Sequence, residues 1–317
     1  MRISLGIAAA LLVAVTMGAS CQKKKREPEP TSTPTTSPSV SPSPTQPVSG
    51  GDSGTAAKLE VIPGVDIGML TDDQQKLYMK LAGSLPSPCG KAHSLLTSGK
   101  DDAACKRAPF ALRYLRRLMQ AEMTEEEAKA IYDLRYGASK IGKVNLENTP
   151  VVGSPTAPVK MVEFFDYQCP HCADFAGKLE KVTQKYGNKI GVFYLNFPLE
   201  HFGEKSVRAA QAARAAHLQG KFHEMHVKLF ENNSKLSDND LLGYAKDIGL
   251  DVQKFKDDMN LPATKARIEA DKKQGENVGV NATPTLYFNG REYQDPKEAA
   301  DLSDWIDEEL AQASGAP

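Results

Sequence analysis

Two cysteines stand two residues apart in Cys169-Pro170-His171-Cys172. The apolar run at 159–165 just before them reads as a strand. The pattern after them, through Phe175, Leu179 and Val182 to Gly187, reads as a helix. The pair therefore falls where a strand hands over to a helix. Unpaired N–H groups at a helix start stabilise an anion, a thiolate included. The thiolate is the nucleophile of disulfide exchange, and C-x-x-C pairs in such positions have strongly lowered pKa values. Cys169 is expected to attack or be attacked, and Cys172, one turn in, to resolve the mixed disulfide. Pro170 and His171 tune the potential. A protonated His171 beside the thiolate favours the reduced form and makes the disulfide a stronger oxidant.

Other chemistries fit less well. A c-type haem site needs histidine directly after the second cysteine, where Ala173 stands. A zinc site needs a second ligand pair, and there is no distant C-x-x-C. His201, His217, His223 and His226 read as surface or helix residues rather than ligands. C-x-x-C is also a poor spacing for a static staple. Redox exchange remains, with no metal, nucleotide or haem implied.

The elements around the motif give it a frame. A second strand is predicted at 190–197, then a helical region from Glu204 to Gly279 with segments at 207–218, 222–230, 241–248 and 255–277. Short strands at 285–288 and 292–293 are joined by the Asn289-Gly290 turn. A last helix is predicted to open at Asp295-Pro296, with Leu302, Trp305, Ile306 and Leu310 as its apolar stripe. The order β-α-β, helices, β-β-α describes an α/β sheet protein with a helical insertion. Pro284, in Ala282-Thr283-Pro284-Thr285, is either an ordinary strand-initiating proline or part of a cis-proline loop packed against the cysteines.

The chain has 317 residues, 40% hydrophobic and 25% charged, which describes a soluble globular protein. Its 39 Lys plus Arg against 40 Asp plus Glu leave a net charge of -1, giving no argument for nucleic acid. Met1-Arg2, an apolar stretch over 3–15 and Gly18-Ala19-Ser20 read as a signal peptide over 1–20. The apolar stretch is short of the about 20 residues of a membrane-spanning helix. Lys23-Lys24-Lys25-Arg26 is a solvated charge run or a contact with acidic lipid headgroups. A Pro/Ser/Thr-rich segment follows, and 21–57 reads as a disordered spacer.

Residues 58–142 read as a small all-α module. Capping boxes begin at Thr71 and Thr124, Leu112 and Leu115 share a helix face, and Ala128, Ile131 and Leu134 are predicted to point inward. Cys89 and Cys105 lie in this module. In an exported protein they are expected to pair as a structural disulfide; the alternative is a relay exchanging electrons with Cys169 and Cys172. The count of 5 cysteines then leaves Cys21 over.

Residues from about 145 to the C-terminal helix resemble the DsbA-like family of the thioredoxin fold. The features that carry this are the lead-in from Pro150 to Val159, Glu163-Phe164-Phe165-Asp166-Tyr167-Gln168 before the cysteines, Asn196-Phe197-Pro198-Leu199, the helical insertion, and Gly279-Val280-Asn281-Ala282-Thr283-Pro284-Thr285. The resemblance implies thiol–disulfide oxidoreductase activity outside the cytoplasm in a domain spanning 143–317. It implies that Pro284 is the family's cis-proline, that the Thr283 backbone pairs with substrate chain, and that Glu163 is a buried acid assisting proton transfer at the inner cysteine. Otherwise Glu163 is a solvated strand-edge charge. Cys-Pro-His-Cys resembles the oxidase subgroup, whereas threonine before the cis-proline also occurs in isomerase- and reductase-type relatives.

The N-terminus resembles a bacterial lipoprotein signal, which implies that Cys21 is lipid-modified and holds the chain to a membrane. Gly18 departs from that pattern, where a large aliphatic residue is usual. The stretch from Leu112 to Gly137 resembles the helical hairpin of CcmH-type cytochrome c maturation proteins, without their close cysteine pair. The expected function is disulfide formation in exported proteins with cysteines, at the periplasmic side of the envelope, with a membrane-bound or soluble redox partner recycling the pair. The alternatives are a reductase or isomerase linked to cytochrome c maturation, and a tethered peptide-binding module without turnover.

Overall fold

The computed structural model describes residues 64–137 and 142–314. The signal peptide, Cys21, the basic cluster and the spacer lie outside the described residues. Residues 58–317 cluster as one compact unit.

Four helices come first: α1 (Asp72–Ser84), α2 (Leu95–Asp101), α3 (Ala108–Gln120) and α4 (Glu125–Tyr136). α1 and α4 open on the capping boxes legible in the sequence. Thr71 Oγ1 accepts from the Gln74 N–H while the Gln74 side chain accepts from the Thr71 N–H, and Thr124 and Glu127 do the same. Each box satisfies N–H groups that a helix start leaves unpaired. Tyr78, Leu81, Leu112, Leu115 and Tyr132 form the core of this part. α2, capped by Ser94, was not predicted.

Leu134 departs from expectation: it is 58% exposed, and Arg135 on the next position is the buried residue. The reason is electrostatic. Arg135 reaches Asp295, Asp304 and Glu308, so α4 turns the Ala128, Tyr132, Arg135 and Tyr136 face inward.

The second part is built on β1 (Val151–Gly153), β2 (Val159–Phe165), α5 (Pro170–Tyr186), β3 (Ile190–Asn196), α6 (Glu204–Leu218), α7 (Phe222–Glu231), α8 (Asp238–Asp247), α9 (Val252–Asn260), α10 (Pro262–Val278), β4 (Thr285–Phe288), β5 (Arg291–Glu292) and α11 (Ala299–Ala313). The sheet order is β1-β3-β2-β4-β5. β2 and β3 run parallel, and the remaining pairs are antiparallel. β3 is buried along its whole length, as a strand covered on both faces must be. Val162, Phe164, Phe193 and Leu195 pack in one cluster with Val280. Met161, Phe165 and Val192 pack in the other with Phe175 and Trp305. Gly275 in α10 permits the close approach on the first face, since a Cβ there would lie 2.7 Å from the Phe197 ring.

Three boundaries differ from the sequence reading. The segment predicted over 255–277 is two helices, broken where Leu261 is extended before Pro262, whose ring and missing N–H end α9. β5 occupies Arg291–Glu292, one residue earlier than predicted; the Asn289-Gly290 turn before it has positive φ at both residues, as a tight hairpin requires. The last helix starts at Ala299 rather than at Asp295-Pro296. Asp295 does not cap it because its carboxylate accepts from Tyr114 Oη, Trp305 Nε1 and Arg135.

That carboxylate belongs to a buried ion network joining α3 and α4 to α11. Arg135 Nη2 lies 2.8 Å from Glu308 and 3.1 Å from Asp304. Arg291 pairs with Glu309 at 2.7 Å and donates to the Arg135 carbonyl, and Arg107 reaches Glu309 at 2.9 Å. The Arg135 and Arg291 guanidinium groups each lie 4.7 Å from the Trp305 ring centroid. Such a network gives little net stability over an apolar replacement, but loss of one member leaves its partners charged and buried.

Candidate active site

Cys169 is the N-cap of α5, with Pro170 at the first helical position, where its missing N–H costs nothing. Asp166 shapes the approach. Its Oδ1 accepts from the Gln168 N–H, a turn of the kind Asp favours, while Oδ2 takes the Leu199 N–H at 2.7 Å and Ser206 Oγ at 2.6 Å. The Cys169 N–H donates to the Asp166 carbonyl at 3.1 Å.

The two thiols have opposite surroundings. Cys169 Sγ lies 3.4 Å from the Thr283 carbonyl oxygen, across from the Thr283–Pro284 peptide, which is cis. The Cys172 thiol, donating to Cys169, together with the Thr283 side chain and the N–H groups of Cys172 and His171, holds the Cys169 thiol down to about 5 against the effect of burial. Cys172 is fully buried; burial, then its bond to Cys169, then the nearby Glu163 carboxyl push its thiol well above the ordinary range. The outer sulfur is the anion and the inner one keeps its proton.

Glu163 sits in the centre of the sheet, opposite Tyr194 on β3 and Leu286 on β4. It lies two residues from both Met161 and Phe165, so period two turns it to the face they share, the α5 side. It is 1% exposed, which excludes the solvated strand-edge reading. Burial pushes its carboxyl up to about 8, and its Oε1 has no hydrogen-bond partner.

His171 and Pro170 are exposed beside Cys169. A groove of about 470 Å³ opens there, lined by His171, Phe175, Thr283 and Pro284 on one side and by Tyr293, Gln294, Lys297 and Glu298 on the other. The structure thus brings Cys169, Cys172, Pro170, His171, Thr283, Pro284 and Glu163 into one place. Cys89 and Cys105 are bonded to each other in the helical part.

Sequence reasoning missed several residues. Asp166 carried the signal of an Asx turn. His226 carried none: it is buried in α7, its Nδ1 3.0 Å from Tyr167 Oη, and burial pushes its imidazole down to about 3. The groove wall residues Gln294, Lys297 and Glu298 flank Asp295-Pro296, where the sequence pattern predicts a helix start.

With this geometry in view, known proteins can be set beside it. A family model described as thioredoxin matches residues 145–308. The Na(+)/H(+) antiporter NhaA 1 of Mycobacterium sp. (strain KMS) is 35% identical over 168 residues, which is 52% of this chain and 27% of that protein. NhaA of Herminiimonas arsenicoxydans is 30% identical over 148 residues, 47% of this chain and 23% of that protein. The chain therefore spans about a quarter of the length of these curated relatives, and the transport in their names is theirs. Among the described residues no helix is long and apolar enough to cross a membrane. A thioredoxin-like oxidoreductase from Silicibacter pomeroyi DSS-3 is 31% identical, with 51% of this chain and 91% of that one covered at a TM-score of 0.47. Oxidised BdbD from Bacillus subtilis is 25% identical, with 54% and 98% covered at a TM-score of 0.48.

Proposed function

The chain belongs to the thioredoxin family, and from that premise we propose that it is a thiol–disulfide oxidoreductase that forms disulfides in exported proteins. One observation carries this reading. Cys169 caps α5 as the acidic thiol beside an open groove, while Cys172 lies buried behind it next to Glu163.

The cycle follows from those environments. A substrate thiolate attacks Cys169 Sγ of the Cys169–Cys172 disulfide; a new S–S bond forms and the old one breaks. Cys172 leaves with the electron pair, and because its thiol is far from acidic, it needs a proton. On this reading the Glu163 carboxyl, protonated up to about pH 8, supplies it. A second substrate thiolate then attacks the substrate sulfur of the mixed disulfide and expels Cys169. A low-pKa thiol leaves fast. The substrate loses two electrons and two protons; the cysteine pair gains both electrons and Cys172 one proton, and the other proton goes to solvent because Cys169 leaves as a thiolate. A redox partner, membrane-bound or soluble, then reoxidises the pair. The Thr283 backbone beside Pro284 is the element that pairs with substrate chain. The cysteines act without cofactor.

Direction rests on the same contrast. Stabilising the Cys169 thiolate stabilises the reduced form, which makes the disulfide oxidising. Export by the 1–20 segment and anchoring through a lipid on Cys21 complete the proposal, supported by the sequence. The test is the reduction potential of Cys169/Cys172, joined to oxidation of a reduced unfolded protein with Cys169→Ser as control. A potential near about -120 mV is expected, and one near about -270 mV makes the protein a reductase. Activity no greater than that of Cys169→Ser removes the enzyme reading altogether.

A further inference from the structure

The groove beside Cys169 is rich in charge. Asp174, Lys178, Lys297 and Glu298 line it, with Lys178 Nζ 2.9 Å from a Glu298 oxygen. It offers an extended chain backbone pairing and little apolar anchorage. A second cleft, of about 290 Å³, begins at its wall, because Gln294 lines both. The far side of this cleft is the helical part: Leu118, Met123, Ile131 and Leu134 of the α3–α4 hairpin face Pro296. Leu134 is 58% exposed there, one residue from the buried Arg135. The wall between the two hollows is held in place from the hairpin side, since Asp295 accepts from Tyr114 Oη at 2.7 Å and from Arg135.

We infer that a polypeptide substrate joined to Cys169 runs over Gln294 and seats an apolar side chain in the cleft between the α3–α4 hairpin and Pro296. The inference rests on the oxidoreductase reading and names its substrate class: unfolded chains with an apolar residue at a fixed spacing from the cysteine. The occupant is the substrate itself because the cleft meets, at Gln294, the groove that His171, Thr283 and Pro284 line beside the reactive sulfur. Main-chain pairing at one site with a side-chain pocket beyond it is a general way to bind extended peptides. Methionine at such a surface adapts to different side chains. The helical part, on this view, selects substrates for the sheet domain.

The experiment uses the full chain with its Cys169–Cys172 disulfide formed. Peptides with one cysteine carry Phe or Ser at each successive distance from it, glutathione serves as reference, and quenched samples are weighed by mass spectrometry. At one spacing Phe should raise the rate of mixed-disulfide formation about tenfold over Ser, the effect of burying much of a large apolar side chain. In Leu134→Glu that gain should vanish. No gain at any spacing, or a gain that survives Leu134→Glu, overturns the inference while exchange with glutathione still upholds the oxidoreductase. If glutathione does not exchange with Cys169 at all, the oxidoreductase reading fails and the inference falls with it. A second measurement supplies the peptide as a disulfide with a small leaving thiol, so that Cys169 of Cys172→Ser attacks the peptide sulfur and expels that thiol, with a photoreactive phenylalanine at the favoured spacing. Crosslinks to the α3–α4 hairpin, its connecting loop included, support the cleft, and crosslinks only elsewhere overturn it.

Discussion

The two cysteine pairs of this molecule are the same chemistry in opposite settings. Cys169 and Cys172 occupy the first turn of a helix, where N–H groups and a neighbouring thiol draw the outer sulfur toward the anion. Cys89 and Cys105 occupy loops on either side of α2, bonded across a sequence separation of 16. Neither caps a helix: Cys105 stands two residues before Arg107, the N-cap of α3. The first pair is therefore poised to exchange and the second to constrain, and the difference lies in what surrounds each sulfur.

The strongest way to break this comparison is to remove the outer thiol. Cys169→Ser should lose all exchange, whereas Cys172→Ser, given a substrate disulfide for Cys169 to attack, should release one substrate thiol and accumulate the mixed disulfide, as seen by mass spectrometry of quenched reactions. Turnover in Cys169→Ser would show that the reactive centre lies elsewhere.

The next largest effect concerns what ties the helical part to the sheet. Arg135→Met leaves Asp295 without its buried cation and Glu308 with only the longer contacts to Arg107 and Arg291. It should lower unfolding free energy by about 3–5 kcal/mol in urea titrations. A loss below 1 kcal/mol would mean that the network is wet or rearranges.

Cys89→Ala/Cys105→Ala should cost about 3 kcal/mol by the chain-entropy argument for a loop of this length, with turnover unchanged. A fall in turnover at unchanged stability would instead make this pair a relay and erase the contrast.

The finest test is of Glu163. Glu163→Gln should slow reaction of the disulfide with thiols about a hundredfold and flatten its pH dependence near pH 8, since the group that hands Cys172 its proton is gone. Stability supplies a second readout with a definite sign. The Glu163 carboxyl holds its proton more tightly folded than unfolded, so its stabilising contribution is complete below about pH 4.5 and is lost as pH rises toward about 8. The Gln variant should lack this decline. A wild-type rate profile in the variant removes Glu163 from the mechanism.

Much of the site was legible because it is local. Cys169-Pro170-His171-Cys172 announced its own junction, since strand and helix patterns on either side are read from neighbouring residues. The capping boxes at Thr71 and Thr124 were legible for the same reason, each closing over three residues. Leu134 was misread because helical period gives a stripe but not the pull of a distant charge: Arg135 turns inward toward residues 160 and 173 positions away. Asp295-Pro296 was misread similarly. A helix-start pattern is also a good acceptor, and three donors from elsewhere claimed it.

The sequence alone determined the cysteine pair, its helix, the β-α-β, helices, β-β-α order around it, and the family resemblance, because each is carried by residue type at short spacing. Tertiary structure decided which thiol is acidic, how Glu163 comes to be buried at its elevated pKa, and how the helical part meets the groove beside Cys169. Those depend on desolvation and on contacts between residues far apart in the chain, and neither quantity exists until the sheet is assembled and covered.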